Sequence, residues 1–216
     1  MSSDQIVFLA PHIHLARCHD DIVVLDVRAD AYALLTDAGP LIRTGAHPDR
    51  IMVDADTGEE LLALGLLASE PDPSRTPIPA LVGEIPAVDD SIPRRRLVAA
   101  AFDSVLASAD FAQRPFADLI AAASRRKASK RPHPDRAIAE AAGAFLAVHP
   151  WIPFEGDCLQ RGYRLHDHLH RSGVAARWVF GVRTWPFLAH CWVQVGDRVV
   201  GDTRERVSGF TPILAV

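Results

Sequence analysis

The sequence predicts an α+β protein of two modules, on three observations. Apolar runs with strand character come first, amphipathic helical patterns follow, and strand patterns return near the end of the 216 residues. Six prolines lie between residues 69 and 93, and proline removes a backbone donor and fixes φ, so this segment interrupts the regular structure. The charge also divides: residues 1–90 carry 5 Lys/Arg and 16 Asp/Glu, a formal −11, whereas residues 91–216 carry 18 and 11, a formal +7. We therefore expect a first module over 1–80, a proline-rich linker over 81–93 and a second module over 94–216.

The first module is predicted to contain a three-stranded meander followed by a helix. Short apolar runs separated by polar breaks predict strands at 12–17, 21–27 and 30–35. Thr36 and Asp37 are N-cap candidates for a turn or short helix. The leucines of 57–67 predict a second, longer helix.

The second module is predicted to hold helices followed by an antiparallel sheet. Pro115 and Pro134 suit the first turns of helices, and Pro150 ends one of them. The expected helices are 94–112, 115–126, 134–149 and 157–171, and the expected strands are 175–183, 187–195 and 198–203.

Several classes of protein are disfavoured. No run approaches 18 uncharged apolar residues, and the N-terminus has no basic region typical of a secretory signal, so we expect a cytoplasmic protein without a membrane partner. Three cysteines without a CxxC pair do not suggest disulfides or a zinc site. No GxGxxG or P-loop occurs, so no nucleotide cofactor is expected. The basic run at 125–132 lacks interleaved aromatics, which disfavours nucleic acid.

Cys158, His190 and Asp202 form the strongest candidate site. Cys158 lies just inside a predicted helix start, where free N–H groups and the helix dipole stabilise a thiolate and an oxyanion. His190 lies in one predicted strand and Asp202 in the next. A thiol nucleophile needs a base, and the base needs an acceptor that fixes its tautomer, so the pattern predicts a Cys-His-Asp triad.

The hairpin that joins the last two predicted strands places a condition on this triad. If residues 196–197 were a plain two-residue turn, Asp202 would oppose Cys191 on the wrong face of the ribbon. We therefore expect an odd-length loop or a bulge near 195–197, which would set His190 opposite Asp202.

The other cysteines are weaker candidates for a nucleophile. Adjacent strand residues face opposite ways, so Cys191 is expected to point away from the His190 ring as a small buried hydrophobe. Cys18 has no evident basic partner and is expected to be an inert thiol.

His166 and His170 have the i, i+4 spacing that can bind zinc. Asp167 stands where an HExxH motif has Glu, and no third ligand is evident. A solvated, partly packed helix face is therefore favoured over a metal site.

The second module resembles the leader peptidases of lasso peptide biosynthesis, which are similar to the transglutaminase-like group of the papain superfamily. Four motif pieces occur in order: CLQR at 158–161, GVAAR at 173–177, AHCW at 189–192, and Asp202. Gly162 and Cys191 depart from the usual Ser and Ala. The resemblance implies that Cys158 attacks the scissile carbonyl, that His190 is general base and then acid, and that Asp202 orients His190. The Cys158 N–H is expected to supply one oxyanion donor, and 151–157 is the candidate segment for the second.

Residues 12–67 resemble the small winged-helix peptide-recognition domain of peptide-modifying pathways, through CHDDIVVLDVRADAYALLTDAG. In that family the leader peptide adds as a strand to the third strand, beside the last helix. An exposed edge strand offers backbone donors and acceptors, which suits this mode of binding. The implied leader-binding residues are Asp30, Ala31, Tyr32, Ala33, Leu34, Leu35, Leu61 and Leu64.

Together the resemblances imply a fused lasso B protein with recognition and peptidase modules and no cofactor. Its implied partners are a lasso precursor peptide and a separate ATP-dependent cyclase. Two alternatives stay open: acyl transfer to an amine with the same triad, and a non-catalytic peptide-binding adaptor. A DNA-binding winged helix is disfavoured because the first 90 residues, with a formal charge of −11, repel phosphate.

Overall fold

The computed structural model describes residues 4–45, 47–88, 92–126, 133–152 and 158–216, which form two compact units. The first unit takes in the chain up to Ile78 together with Val182–Leu188 and Thr211–Leu214, and the second takes in the remainder. Along the described parts of the chain, no helix combines the length and apolar character needed to cross a membrane.

The first unit contains two sheets and a helix. Its strands are β1 (Gln5–Leu9), β2 (Ile13–Cys18), β3 (Asp21–Asp26), β4 (Ala31–Leu35), β5 (Arg43–Thr44), β6 (Arg50–Val53) and β7 (Leu67–Ala68). Strands β2, β3 and β4 form an antiparallel meander, and the second sheet has the order β5-β6-β1-β7. Helix α1 (Ala55–Ala63) begins after Asp54, whose carboxylate accepts the Thr57 N–H at 2.8 Å.

The core of the first unit explains why these segments fold. Apolar side chains from the meander, from the second sheet and from α1 pack together and are almost fully buried. The residues include Leu9, Ile13, Ile22, Ile51 and Leu61. The predicted meander is present with boundaries shifted by a residue or two, whereas the second sheet was not predicted from the sequence. Residues 36–42 form turns rather than a helix, and the winged-helix interpretation stays a prediction.

The second unit combines helices with four strands of a sheet. Its helices are α2 (Arg94–Gln113), α3 (Phe116–Ser124), α4 (Asp135–Val148), α5 (Cys158–Arg171) and the short α6 (Arg204–Val207), and a 3₁₀ turn follows α4 at His149–Trp151. Its strands are β8 (Gly83–Ile85), β9 (Arg177–Arg183), β10 (Leu188–Val195) and β11 (Arg198–Val200), which adjoin in the order β9-β10-β11-β8. The last strand, β12 (Thr211–Ala215), falls almost entirely in the first unit.

Helix α5 is the central helix of the second unit. It packs against α2 and α4, and most of its residues from Gly162 to Leu169 are buried. Leu165 and Leu169 join a core with Phe145 of α4 and Val193 of β10. This packing fixes the first residue of α5, Cys158, beside the sheet.

The proline-rich segment does more than connect the two modules. Residues 83–85 form β8, which pairs in parallel with β11, and Ile85 is buried in the core of the second unit. The expectation of a linker outside the core over 81–93 is therefore wrong for these residues. A three-residue strand can form directly before Pro86 because β8 lies at the edge of its sheet, where one side needs no donors.

Candidate active site

A cavity of about 220 Å³ in the second unit brings the three predicted site residues together. Cys158 is the first residue of α5, His190 lies in β10, and Asp202 follows β11. Their neighbours around the cavity include Arg161 and Arg206. The start of a helix, a strand and the residue after another strand thus contribute side chains to the same cavity, although they are distant in sequence.

The turn between β10 and β11 contradicts the predicted bulge. Val195 pairs with Arg198, so residues 196–197 form a plain two-residue turn. Nevertheless, His190 Nε2 lies 2.8 Å from Asp202 Oδ2. The prediction assumed that the strand continues through Asp202, whereas β11 ends two residues earlier and the ladder register no longer applies.

Gly201 and Arg161 hold the chain where it leaves the ladder. Gly201 has φ of +73°, in the left-handed region that favours glycine, and an added Cβ would lie 2.6 Å from Leu165 Cδ2. Arg161 Nη2 donates a hydrogen bond of 2.8 Å to the Gly201 carbonyl, which ties this turn to α5. The next residue, Asp202, can then turn its carboxylate toward His190.

The environment of Cys158 favours the thiolate. Hydrogen bonds from the Cys191 side chain and from His190, and a further one from the Cys191 N–H, lower the pKa of Cys158 to about 4, although burial opposes the shift. Cys158 at the N-terminus of α5 also benefits from the helix dipole. The thiol is therefore ionised at neutral pH.

His190 is matched to this thiolate. Its hydrogen bond to Asp202, and then the one to Cys158, raise the pKa of His190 to about 9 against the opposing effect of burial. Burial alone would raise the pKa of Asp202, but the hydrogen bonds from His190 and from the Thr203 N–H lower it below its ordinary value. Because Nε2 of His190 is engaged by Asp202, Nδ1 is the nitrogen left for the sulfur.

Cys191 is part of the site, which alternation along the strand did not predict. It is buried, with 5% of its surface exposed, as expected. However, its Sγ donates to the Cys158 carbonyl at 3.1 Å, and it lines the same cavity as His190. The expected burial of Cys191 is confirmed, but Cys191 also contacts Cys158, because α5 begins directly against this part of β10.

The second oxyanion donor was expected in segment 151–157. Of this segment, residues 153–157 lie outside the described residues. Trp151, in the 3₁₀ turn after α4, is 85% exposed. The location of the second oxyanion donor in segment 151–157 therefore stays a prediction.

The histidines of α5 were expected on a solvated, partly packed helix face, but two of them are buried. His166 and His168 are buried rather than solvated, and His168 Nδ1 lies 2.8 Å from Asp103 Oδ2. Burial holds the pKa of His166 well below its ordinary value. His170 Nε2 lies 3.1 Å from the Ala176 carbonyl. Within the ranges that the structure describes, no group of three His, Cys, Asp or Glu side chains is arranged to hold a metal.

The residues proposed for leader binding divide into three groups. Residues 31–35 form β4, which lies at the edge of the meander among the described strands, and Asp30 precedes it in a turn with φ of +50°. Tyr32 packs against Phe187 at 5.6 Å between ring centroids. Leu64 is 71% exposed after the last residue of α1, but Leu61 is 5% exposed and belongs to the core. Leu61 is therefore corrected to a packing residue, because α1 turns this side chain inward.

The sequence reasoning missed Gly201 and the role of Arg161. Arg161 was quoted as part of the CLQR piece, and its position one turn after the nucleophile is a usable signal. Gly201 precedes the acid directly, which indicates a sharp change of direction at that point.

Comparisons with known proteins identify the superfamily of the chain. A family model of the transglutaminase-like superfamily matches residues 101–215. The microcin J25-processing protein McjB of Escherichia coli is 45% identical over 63 residues, which is 28% of this chain and 30% of that protein, so the match spans less than a third of the relative. No solved structure matches the chain. The resemblance inferred from the motif pieces is thereby confirmed for the second module, and the chain belongs to the transglutaminase-like superfamily.

Proposed function

We propose that the chain is a cysteine endopeptidase that binds the leader of a lasso precursor peptide and removes it before a partner ATP-dependent cyclase closes the ring. The observation that carries the proposal is the contact of His190 with Asp202 at 2.8 Å in the cavity that Cys158 lines. The similarity to the microcin J25-processing protein supports the substrate class.

The reaction follows from the charges of these groups. The Cys158 thiolate attacks the scissile carbonyl carbon, and the Cys158 N–H at the start of α5 stabilises the oxyanion. His190, protonated, donates its Nδ1 proton to the leaving amine as the C–N bond breaks, and a thioester remains on Cys158. His190 then removes a proton from water, which attacks the thioester and releases the leader with a carboxylate end. Asp202 keeps the ring oriented throughout.

Leader capture is assigned to β4 and the exposed end of α1. Strand β4 pairs with β3 through Asp26↔Ala31 to Ile22↔Leu35, and its other edge can accept an added strand. Ala31 and Ala33 are exposed on this strand, so small side chains leave the edge accessible. Holding the leader there raises the effective concentration of the scissile bond at Cys158.

The test is leader removal from a synthetic lasso precursor by the full chain, followed by mass spectrometry. Cys158→Ala is expected to abolish cleavage. Cys18→Ala is the matched control, because Cys18 is a buried cysteine of the first unit whose pKa is raised by burial, and it should cleave as the unaltered chain does. Cleavage that persists in Cys158→Ala would overturn the choice of nucleophile.

A second candidate function is acyl transfer to an amine, and it is favoured by the family to which the chain belongs. The thioester would then react with an added primary amine in place of water. Mass spectrometry in the presence of such an amine distinguishes the two, because the leader would gain an amide instead of a carboxylate. The adaptor alternative predicts instead that Cys158→Ala supports full lasso peptide production.

A further inference from the structure

The active-site cavity contains a second thiol beside the nucleophile. We propose that Cys158 and Cys191 form a reversible disulfide when a hydroperoxide enters the cavity, so that Cys191 acts as the resolving cysteine of an oxidation-sensitive site. This modification lies beyond peptide cleavage and does not depend on the identity of the substrate.

The two cysteines meet at the junction of α5 and β10. Cys191 Sγ lies 3.1 Å from the Cys158 carbonyl oxygen, and a hydrogen bond joins the two side chains. Gly162, one turn further along α5, has no side chain to separate them: a Cβ there would lie 3.2 Å from Cys191 Sγ. Both cysteines line the cavity, so the approach that serves a substrate also serves a small oxidant.

The ionisation of Cys158 makes it the first sulfur to react. The thiolate, with its pKa lowered to about 4, attacks one oxygen of the hydroperoxide and breaks the O–O bond. The sulfur becomes a sulfenic acid, and the second oxygen takes a proton from His190 and leaves as water, or as an alcohol from an organic hydroperoxide.

Cys191 then completes the reaction. Its sulfur attacks the sulfenic sulfur of Cys158, the S–O bond breaks, and water leaves with the Cys191 proton. Two thiols and one hydrogen peroxide thus give one disulfide and two waters. A thiol reductant reverses the step, which matters in a reducing compartment where a persistent disulfide is not expected.

Cys18 provides an internal comparison. It is buried in the first unit, and burial raises the pKa of its thiol above the ordinary value. It therefore lacks the thiolate character that the reaction requires, and we expect it to stay reduced under the same treatment.

The sequence allows a direct test by peptide mapping. Trypsin places the three cysteines on separate peptides: Cys18 on 18–28, Cys158 on 137–161 and Cys191 on 184–198. The full chain is treated with near-stoichiometric hydrogen peroxide, its remaining thiols are alkylated under denaturing conditions, and the digest is analysed by mass spectrometry. We expect peptides 137–161 and 184–198 to be joined, two of the three thiols to be lost to alkylation, and dithiothreitol to restore both.

Cys191→Ser is the matched variant, because a hydroxyl keeps a donor toward Cys158 but cannot form a disulfide. In this variant we expect Cys158 to proceed to the sulfinic acid, which dithiothreitol does not reverse. The proposal is overturned if the unaltered chain shows Cys158 over-oxidised while Cys191 remains a free thiol, or if the disulfide joins Cys18. The readout needs no peptide substrate, so the failure of leader cleavage would leave this result intact.

Discussion

Cys158 and His190 titrate at opposite ends of the pH range, and their two pKa values define the pH range in which the site is active. The pKa of Cys158 is lowered to about 4, so the sulfur is protonated and unreactive below that pH. The pKa of His190 is raised to about 9, so above that pH the ring has no proton for the leaving amine. We expect a bell-shaped dependence of kcat/KM with an acid limb near 4 and an alkaline limb near 9, both belonging to the coupled pair.

The acid limb can be assigned with a variant of Cys191. The Cys191 side chain is the largest contributor to the low pKa of Cys158, so Cys191→Ala should move the acid limb upward. Cys191→Ser keeps a donor and should move it less. The rate of iodoacetamide alkylation of Cys158 against pH measures the same limb without a substrate, and an unchanged limb in Cys191→Ala would contradict the assignment.

Asp202 is expected to act through His190 alone. Asp202→Asn removes the charge that raises the pKa of His190, and it allows the wrong ring tautomer. We expect kcat to fall by roughly 10²- to 10⁴-fold, since tautomer loss in a related triad costs about 10⁴-fold. The alkaline limb should move to lower pH, which a merely destabilised protein would not show. A variant with normal kcat would exclude Asp202 from the site.

The turn after β11 determines the position of Asp202 in the site. Gly201 and Gly196 both have positive φ, +73° and +61°, but a Cβ at Gly201 would lie 2.6 Å from Leu165 whereas a Cβ at Gly196 meets nothing within 4 Å. Gly196→Ala should cost about 1 kcal/mol from backbone strain. Gly201→Ala should cost roughly 2–4 kcal/mol because overpacking adds to the strain.

Urea unfolding followed by tryptophan fluorescence measures this difference, since Trp178 and Trp192 are buried in the second unit. Gly201→Ala should also reduce cleavage by displacing Asp202, whereas Gly196→Ala should not. Equal losses of stability in the two variants would show that Leu165 does not constrain the turn.

The elements that the sequence could predict are those with strong local patterns. The helices over 94–112 and 157–171 and the meander appear where periodicity and strand composition placed them. Strand β8 could not be predicted, because its three residues in a proline-rich segment carry no periodic signal and gain their pairing from β11, more than a hundred residues away. The contact between His190 and Asp202 was predicted, but with a strand register that the structure does not have. The register was mispredicted because the end of β11 depends on tertiary packing at Gly201.

Charge is divided across the whole chain, and the proposed leader site falls in its acidic part. Residues 1–90 carry a formal −11, and most of their acidic residues lie in the first unit, so this unit should attract basic leader segments. For a precursor with a basic leader, we expect KM to rise with ionic strength while kcat stays constant. A precursor that keeps the residues around the scissile bond but lacks the rest of its leader should lose roughly 10²- to 10⁴-fold in kcat/KM, because the reaction loses its tethered concentration.

The location of the leader on β4 can be tested with one pair of variants of the full chain. Ala33→Arg adds a bulky cation to the exposed face of β4, and Ala55→Arg adds the same charge at an exposed alanine at the start of α1. If the leader adds to β4, Ala33→Arg should raise KM for the full-length precursor at least about tenfold, a loss of about 1.4 kcal/mol. Ala55→Arg should change KM little, and neither variant should alter cleavage of the truncated precursor. Equal effects of the two substitutions would indicate that overall charge, rather than the edge of β4, determines leader binding.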